Sequence, residues 1–120
     1  MAATSILSTD DEMNAMAGEN VDVTGWTDAN KTAWGIQAEA TLNMLSRYDW
    51  ATNVGSLGAK SKGILSEYVA RYTGMQGLLY NFDIIDRVEA EDRINVHIVR
   101  LQEIEKLLKD QASVSFLKGE

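Results

Sequence analysis

The stretch GILSEYVARYTGMQGLLYNF, residues 63–82, decides the fold of this 120-residue chain. Apolar residues recur in it every three or four positions, which places them along one face of a helix. The pattern predicts a helix over about residues 61–82, with Glu67 and Arg71 as a favourable charge pair on its outer face. The predicted buried face consists of Ile64, Leu65, Tyr68, Val69, Tyr72, Met75, Leu79 and Phe82.

Two glycines, Gly74 and Gly77, lie inside this predicted helix. A glycine within a helix costs about 1 kcal/mol relative to alanine, so each needs a compensating reason. The sequence leaves two interpretations open. Either another helix approaches closely at these positions, or the helix breaks locally there.

Three more helices are predicted on either side of residues 61–82. The first covers about residues 9–18, where Thr9 and Glu12 form a capping box. The second covers about 28–48 and begins at Thr27 or Asp28. Its predicted inward residues are Trp34, Ala38, Thr41, Leu42 and Leu45.

The last predicted helix covers about residues 87–110, with Asp86 as its N-cap. Its inward stripe is predicted to be Ile94, Ile98, Leu101, Ile104 and Leu108. The chain contains no proline to interrupt any of these segments. The predicted fold is therefore all-α, a small antiparallel helical bundle of four main helices over residues 1–111.

Residues 112–120 are predicted to form an extended C-terminal arm. In SVSFLKGE, residues 113–120, Val114 and Phe116 alternate with serines, which is the period of a strand. A single short strand cannot satisfy its own backbone groups, so it needs another chain to pair with. We expect the arm to be mobile in the free protein and extended when it is bound, because its ordering costs backbone entropy.

The composition argues against several classes of protein. The absence of cysteine excludes disulfides and thiolate chemistry, and no apolar run approaches the length of a membrane span. The start of the chain does not resemble a signal peptide, so we expect a soluble, intracellular protein. The net charge of −7 argues against direct binding of nucleic acid, which requires clustered lysine and arginine.

No residue pattern in the sequence indicates catalysis, a metal site or a cofactor. His97 is the only histidine and lies between Ile94 and Leu101, so we interpret it as a residue on a helix face. No glutamate stands three residues before it, as helical di-metal sites require. We therefore expect a protein that is not an enzyme and that acts by binding other proteins.

Three segments resemble the head-to-tail connector (adaptor) proteins of tailed bacteriophages. These segments are AEATLNMLSRYDW (38–50), KGILSEYVARYTGMQGLLYNF (62–82), and EAEDRIN (89–95) leading to LQEIEKLLKDQ and VSFLKG. The similarity extends over about residues 10–118 and is a pattern of segments without a catalytic signature. That family is built as a small helical bundle with a C-terminal arm.

The resemblance implies a structural virion protein in the neck of a phage particle, present in the host cytoplasm before assembly. Its subunits would form a homo-oligomeric ring, expected to be a dodecamer, under the portal protein, and would join the capsid to a tail or head-completion protein. DNA would pass through the lumen without sequence-specific binding. The resemblance assigns the portal contact to the arm, namely Ser113, Val114, Ser115, Phe116, Leu117 and Lys118.

An acidic surface that repels the passing DNA is expected from the charge of the N-terminal half. Its predicted members are Asp10, Asp11, Glu12, Glu19 and Asp22. Solubility is a second explanation for the same acidity. A second functional hypothesis also stays open, in which the chain is a small helical regulatory or inhibitor protein that binds a single protein partner.

Overall fold

Five helices make up the secondary structure of the described residues. The computed structural model describes residues 7–8, 10–17, 26–50, 52–53, 55, 57–80 and 87–118. The helices are α1 (Asp10–Ala17), α2 (Asp28–Ser46), α3 (Ala59–Tyr80), α4 (Arg87–Lys109) and α5 (Gln111–Leu117). The described part of the chain is thus all-helical, as predicted, and α1 to α4 match the four predicted helices to within about two residues. The antiparallel order of these helices stays a prediction.

Helix α3 is the centre of the fold, as its apolar stripe predicts. It packs against α1, α2 and α4, while α4 also packs against α2 and α5. Leu65, Tyr68 and Val69 of α3 are buried in the main core cluster, and Ile64, Tyr72 and Met75 pack against it. The side chains of Leu79 and Phe82 lie outside the described residues. The stripe in α3 therefore forms the surface on which the neighbouring helices assemble.

Gly74 confirms the interpretation that a glycine in α3 permits close approach of another helix. A Cβ atom at this position would lie 2.9 Å from the carbonyl carbon and from the Cβ of Met16, and 3.0 Å from the nitrogen of Ala17. Two of these three atoms belong to the backbone of α1, which cannot rotate away. The absence of a side chain at Gly74 therefore lets the end of α1 lie directly against α3.

Two side chains of α4, together with Gly74 of α3, form the surface that holds the C-terminal end of α1, which we call the seat of α1. The last carbonyl groups of a helix have no partner within the helix itself. The Nε2 of His97 donates a hydrogen bond to the carbonyl oxygen of Met16 at 2.9 Å, and the Nη1 of Arg93 donates to that of Ala17 at 3.1 Å. Helix α4 thus supplies the donors that the C-terminal end of α1 lacks.

His97 also corrects one residue of the predicted α4 stripe. Ile94, Leu101, Ile104 and Leu108 are buried, but Ile98 is 37% exposed and His97 is buried in its place. Positions 97 and 98 lie close to the same helix face, so apolar spacing alone does not choose between them. The carbonyl of Met16, which has no partner within α1, favours His97 at the buried position, because an imidazole can donate a hydrogen bond to it and the side chain of Ile98 cannot.

Helix α2 is anchored at both of its ends. Thr27 is its N-cap and accepts a hydrogen bond from the backbone nitrogen of Asn30 at 3.2 Å, which settles the choice between Thr27 and Asp28. At the other end Arg47 adopts a left-handed conformation with φ of 56°, which ends the helix. Trp50 follows, fully buried, with its backbone nitrogen bonded to the side chain of Asn43 at 3.0 Å. The Thr9 and Asp86 caps lie outside the described residues.

The extended arm predicted for the C-terminus is wrong for the free chain, because Gln111–Leu117 forms helix α5. The apolar residues that decide its conformation are Val114 and Leu117, which are three positions apart and both buried. This is helical spacing. The alternation of Val114 with Phe116 is a coincidence of the local sequence. The predicted boundary between residues 111 and 112 falls inside α5, and α5 shares the core of the other helices.

Candidate functional site

Asp110 starts α5 and fixes its direction relative to α4. Its side chain accepts hydrogen bonds from the backbone nitrogen of Ala112 at 3.3 Å and from the Oγ of Ser113 at 3.0 Å. Its backbone nitrogen donates to the carbonyl oxygen of Leu107 at 3.2 Å. An aspartate at an N-cap satisfies donors that the first turn would otherwise leave free. The chain therefore turns from α4 into α5 within a single residue.

The inner face of α5 attaches to α3 and to the segment that follows α2. Val114 and Leu117 are buried in the core cluster. The Oγ of Ser61, in the first turn of α3, donates a hydrogen bond to the carbonyl oxygen of Leu117 at 2.7 Å. The ammonium group of Lys118 lies 4.8 Å from the ring centroid of Tyr48, which is a cation–π distance. Together with the Asp110 cap, these contacts hold α5 at both of its ends.

The outer face of α5 exposes Phe116, whose side chain is 80% accessible to solvent. Phe116 lines a groove of about 400 Å³ together with Ile64 of α3, Leu107 of α4 and Ala112. Leu107 is itself exposed. We call this feature the α5 groove. A solvent-facing apolar surface built from large side chains of three helices is typical of a site that contacts another protein.

The α5 groove continues along the outer face of α4. A neighbouring depression, lined partly by Leu107 and Ser113, extends to Arg100 and Glu103. A further depression shares Arg100 and Glu103 and adds the exposed side chains of Val96 and Val99. One exposed strip thus extends from Val96 on α4 to Phe116 on α5.

A charge cluster fixes the middle of this strip. Glu67 of α3 accepts a hydrogen bond from Arg71 at 2.7 Å and two from Arg100 of α4, at 2.8 and 3.0 Å. The hydrogen bonds from Arg100, followed by those from Arg71 and the charges of both arginines, hold the pKa of Glu67 below its usual value, against partial burial. The bidentate pair joins α3 to α4, so the strip is presented on two connected helices.

The structure separates the six residues that were assigned to portal binding. Val114 and Leu117 point into the core, Phe116 points to solvent, and Ser113, Ser115 and Lys118 are partly buried. The prediction placed Val114 and Phe116 on one face of a strand. In the helix they lie on different sides, so Phe116 is the only large apolar residue of the six that a partner could reach without moving α5.

The predicted acidic surface is described only in part. Asp10 lies in the first turn of α1, Asp11 is exposed, and Glu12 is half-buried. Glu19, Asp22 and the side chain of Asp10 lie outside the described residues. The role assigned to these acids, repelling DNA, stays a prediction.

Both ring nitrogens of His97 are engaged within the fold. Nε2 bonds to Met16, and Nδ1 lies 3.2 Å from the Nη1 of Arg71, from which it accepts. Burial, together with the nearby positive charges of Arg71 and Arg93, lowers the pKa of His97, although the bond to Met16 opposes that shift. The imidazole is thus held neutral with its proton on Nε2. Among the residues that the structure describes, no group of His, Asp or Glu side chains is arranged to hold a metal ion.

Several residues of the strip were not singled out from the sequence. Leu107 lies between Ile104 and Leu108, two residues of the predicted inward stripe of α4. Val96 and Val99 are three positions apart on another face of the same helix. Each is a second apolar position beside a stripe that is already complete. This surplus of apolar residues on one helix is the signal that could have indicated an exposed contact face.

Comparisons of the chain with protein-family models, with curated proteins and with solved structures found no match. Within the described residues, no helix combines the length and the apolar character that crossing a membrane would require.

Proposed function

We propose that this chain is a head-to-tail connector of a tailed bacteriophage, and that α5 makes its contact with the portal protein. The observation that carries this proposal is the exposure of Phe116 beside an apolar groove. It lies in the segment to which the resemblance assigns portal binding. An exposed aromatic side chain next to a depression is a common anchor of protein interfaces.

Docking of α5 as a helix fits the structure better than addition of a strand to the portal. To become extended, α5 would have to expose Val114 and Leu117 and to lose the bond between Ser61 and Leu117. Burial of two such side chains contributes about 1.5–3 kcal/mol each. A partner that inserts an apolar side chain beside Phe116 loses none of this.

The assembly we propose is a ring of identical subunits, with twelve copies as the family implies, between the portal and a tail or head-completion protein. Each subunit would be an antiparallel bundle of the four main helices, with α5 directed toward the portal. Each copy carries a net charge of −7. Its acidic surfaces, including Asp11, would therefore face solvent or the lumen, where they would let DNA pass without binding.

We also propose that the protein is not an enzyme. The observation in support is that His97 has both ring nitrogens occupied by Met16 and Arg71. A general base needs a nitrogen free to take a proton from a substrate. In this chain the imidazole instead stabilises the seat of α1.

The alternative, a small regulatory or inhibitor protein, is supported by the same groove. A groove of about 400 Å³ is large enough for one or two side chains of a single partner. The two hypotheses differ in stoichiometry, because a connector would join a ring of portal subunits in many copies. A regulator would bind its target as one or two copies.

Native mass spectrometry of the chain mixed with purified portal rings tests the proposal. We expect a complex that contains one complete ring of this chain on each portal ring, and no complex with an unrelated ring-shaped protein of similar acidity. If the chain keeps its own mass in the presence of portal, the connector function is wrong. Micrographs of intact particles in which the chain is located outside the neck would contradict it as well.

A further inference from the structure

The α5 groove is surrounded by lysines in a chain that is otherwise strongly acidic. Five lysines lie in residues 59–64 and 104–118, where the only acids are Glu105 and Asp110. Glu105 accepts a hydrogen bond from the hydroxyl of Tyr68 at 2.7 Å, and Asp110 caps α5. The basic residues are Lys60, Lys62, Lys106, Lys109 and Lys118.

Contacts in the structure bring three of these lysines to the edges of the groove. The bond from Ser61 to Leu117 places the exposed Lys60 and Lys62 of α3 beside the end of α5. Lys106 lines the depression that adjoins the groove at Leu107, together with Arg100 and the acids Glu103 and Asp110. The local surface is therefore apolar in the centre, and basic side chains outnumber acidic ones at its edge, although the whole chain carries −7.

We propose that the occupant of the α5 groove is an acidic protein segment that carries a bulky apolar side chain. The apolar side chain would pack against Leu107 and Phe116, and carboxylates beside it would pair with Lys60, Lys62 and Lys106. Opposite charges at the edge of an interface steer association and select the partner, while the apolar centre supplies affinity. This inference specifies the chemistry of the site used in the proposed function, and it rests on that function only for the identity of the partner as portal.

Helices α1 and α2 of a second copy of this chain do not fit the groove. The outer face of α2 offers the exposed Ile36 and Met44, but the only acids of α2 are Asp28 at its start and the buried Glu39. Helix α1 has the opposite composition. Its exposed described side chains are Asp11, Asn14 and Ala15, and none of these is a bulky apolar residue. Neither α1 nor α2 thus has both properties that the groove requires. Helix α4 has both, with the exposed acids Glu91 and Asp92 near the exposed Val96, so self-association of the chain through the groove is the outcome that would contradict a separate partner.

Selection of random twelve-residue peptides displayed on phage, with the whole chain as the target, tests this inference. We expect the selected peptides to carry net negative charge and at least one bulky apolar residue. Their affinity, measured by fluorescence anisotropy, should fall at least tenfold when salt is raised from 50 to 500 mM, because screening weakens exposed charge pairs. Peptides that are neutral or basic, or a selection that yields no binder, would overturn the inference.

Two variants and a control show whether the selected peptides bind at the α5 groove. Leu107→Asp, and separately the triple change Lys60→Gln, Lys62→Gln and Lys106→Gln, should each weaken peptide binding at least tenfold. Met44→Asp alters an equally exposed apolar residue on α2 and should leave the affinity unchanged. Circular dichroism verifies that each variant is folded. The lysine changes lie on the surface, so the triple variant still tests the inference if Leu107→Asp unfolds. Equal binding by the lysine variant and the unchanged chain would contradict the inference.

The same reagents separate this inference from the proposed function. If acidic peptides bind the groove but the chain ignores portal rings, the chemistry of the site is correct and the connector function is wrong. If the lysine variant joins portal rings as well as the unchanged chain does, the connector function stands and the acidic partner is wrong.

Discussion

Helices α1 and α5 are the two shortest helices of the described residues, and they are attached to the fold in different ways. At the end of α1, the carbonyls of Met16 and Ala17 receive hydrogen bonds from His97 and Arg93, and the backbone rests against Gly74. Helix α5 buries one side and leaves Phe116 in solvent.

This difference indicates different roles for the two helices. The hydrogen bonds at the end of α1 are directional and point inward, so each change there should act on stability. The exposed Phe116 of α5 contributes little to the fold, and it belongs to a larger apolar surface with Leu107 and Ile64, which is typical of an interaction site. A contact surface is therefore expected at α5 and not at the end of α1.

The largest effect should come from removing the apolar anchor of α1. Met13 is fully buried in the core cluster, whereas Phe116 is 80% exposed. We expect Met13→Ala to lower the free energy of unfolding by about 2–5 kcal/mol, because it leaves a cavity. Phe116→Ala should change it by less than about 0.5 kcal/mol, as a surface substitution does. Chemical denaturation measures the free energy of unfolding of both variants. Equal losses of stability in the two variants would contradict the different roles of α1 and α5.

A smaller effect is expected from adding one methyl group at the seat of α1. We expect Gly74→Ala to cost about 1–3 kcal/mol, because the new Cβ would lie 2.9 Å from the Met16 carbonyl carbon. Gly63→Ala is the matched control in the same helix, since nothing lies within 4 Å of its added Cβ. That change should stabilise the protein by up to about 1 kcal/mol through helix propensity. Thermal unfolding that shifts in the same direction for both variants would contradict the close approach of α1.

The smallest effect should be a dependence of stability on pH through His97. Its pKa is lowered in the folded state by burial and by Arg71 and Arg93, so the unfolded chain binds the proton more readily. The stabilisation is complete above the unfolded pKa of about 6.5 and is lost as the pH falls through the folded pKa. We expect denaturation midpoints to fall on acidification below that value. His97→Gln should flatten this part of the pH profile, and a variant with the same slope as the unchanged chain would show that other groups titrate there.

The four main helices could be predicted from the sequence because their apolar residues recur without interruption over many turns. The same reasoning limited the α2 cap to Thr27 or Asp28 and gave close approach of another helix as one of two interpretations of Gly74, and the structure decided for Thr27 and for the close approach. The reasoning failed at α5, where seven residues are too few to distinguish the spacing of Val114 and Leu117 from the alternation of Val114 and Phe116. Periodicity is weak evidence in a segment of that length.

The exposed strip could be predicted only in part, because exposure depends on how the helices pack. The sequence indicated Phe116 as a contact residue and placed Leu108 inward, but it did not indicate that the adjacent Leu107 belongs to an exposed contact surface. The sequence also placed Ile98 inward. In the structure His97 is buried instead, because it bonds to Met16, which is 81 positions away in the chain. Contacts of this kind between distant parts of the chain cannot be predicted from the local spacing of apolar residues.

Attachment of Phe116→Asp to phage heads that carry the portal but lack this protein tests the proposed role of α5 most directly. Met44→Asp is the control, because Met44 is 79% exposed on α2 and Phe116 is 80% exposed on α5. Sedimentation of heads with bound protein should show that Met44→Asp attaches like the unchanged chain. Phe116→Asp should remain in the supernatant while keeping its helix content and its denaturation midpoint. Normal attachment of Phe116→Asp would contradict the assignment of α5 as the end of the molecule that binds the portal.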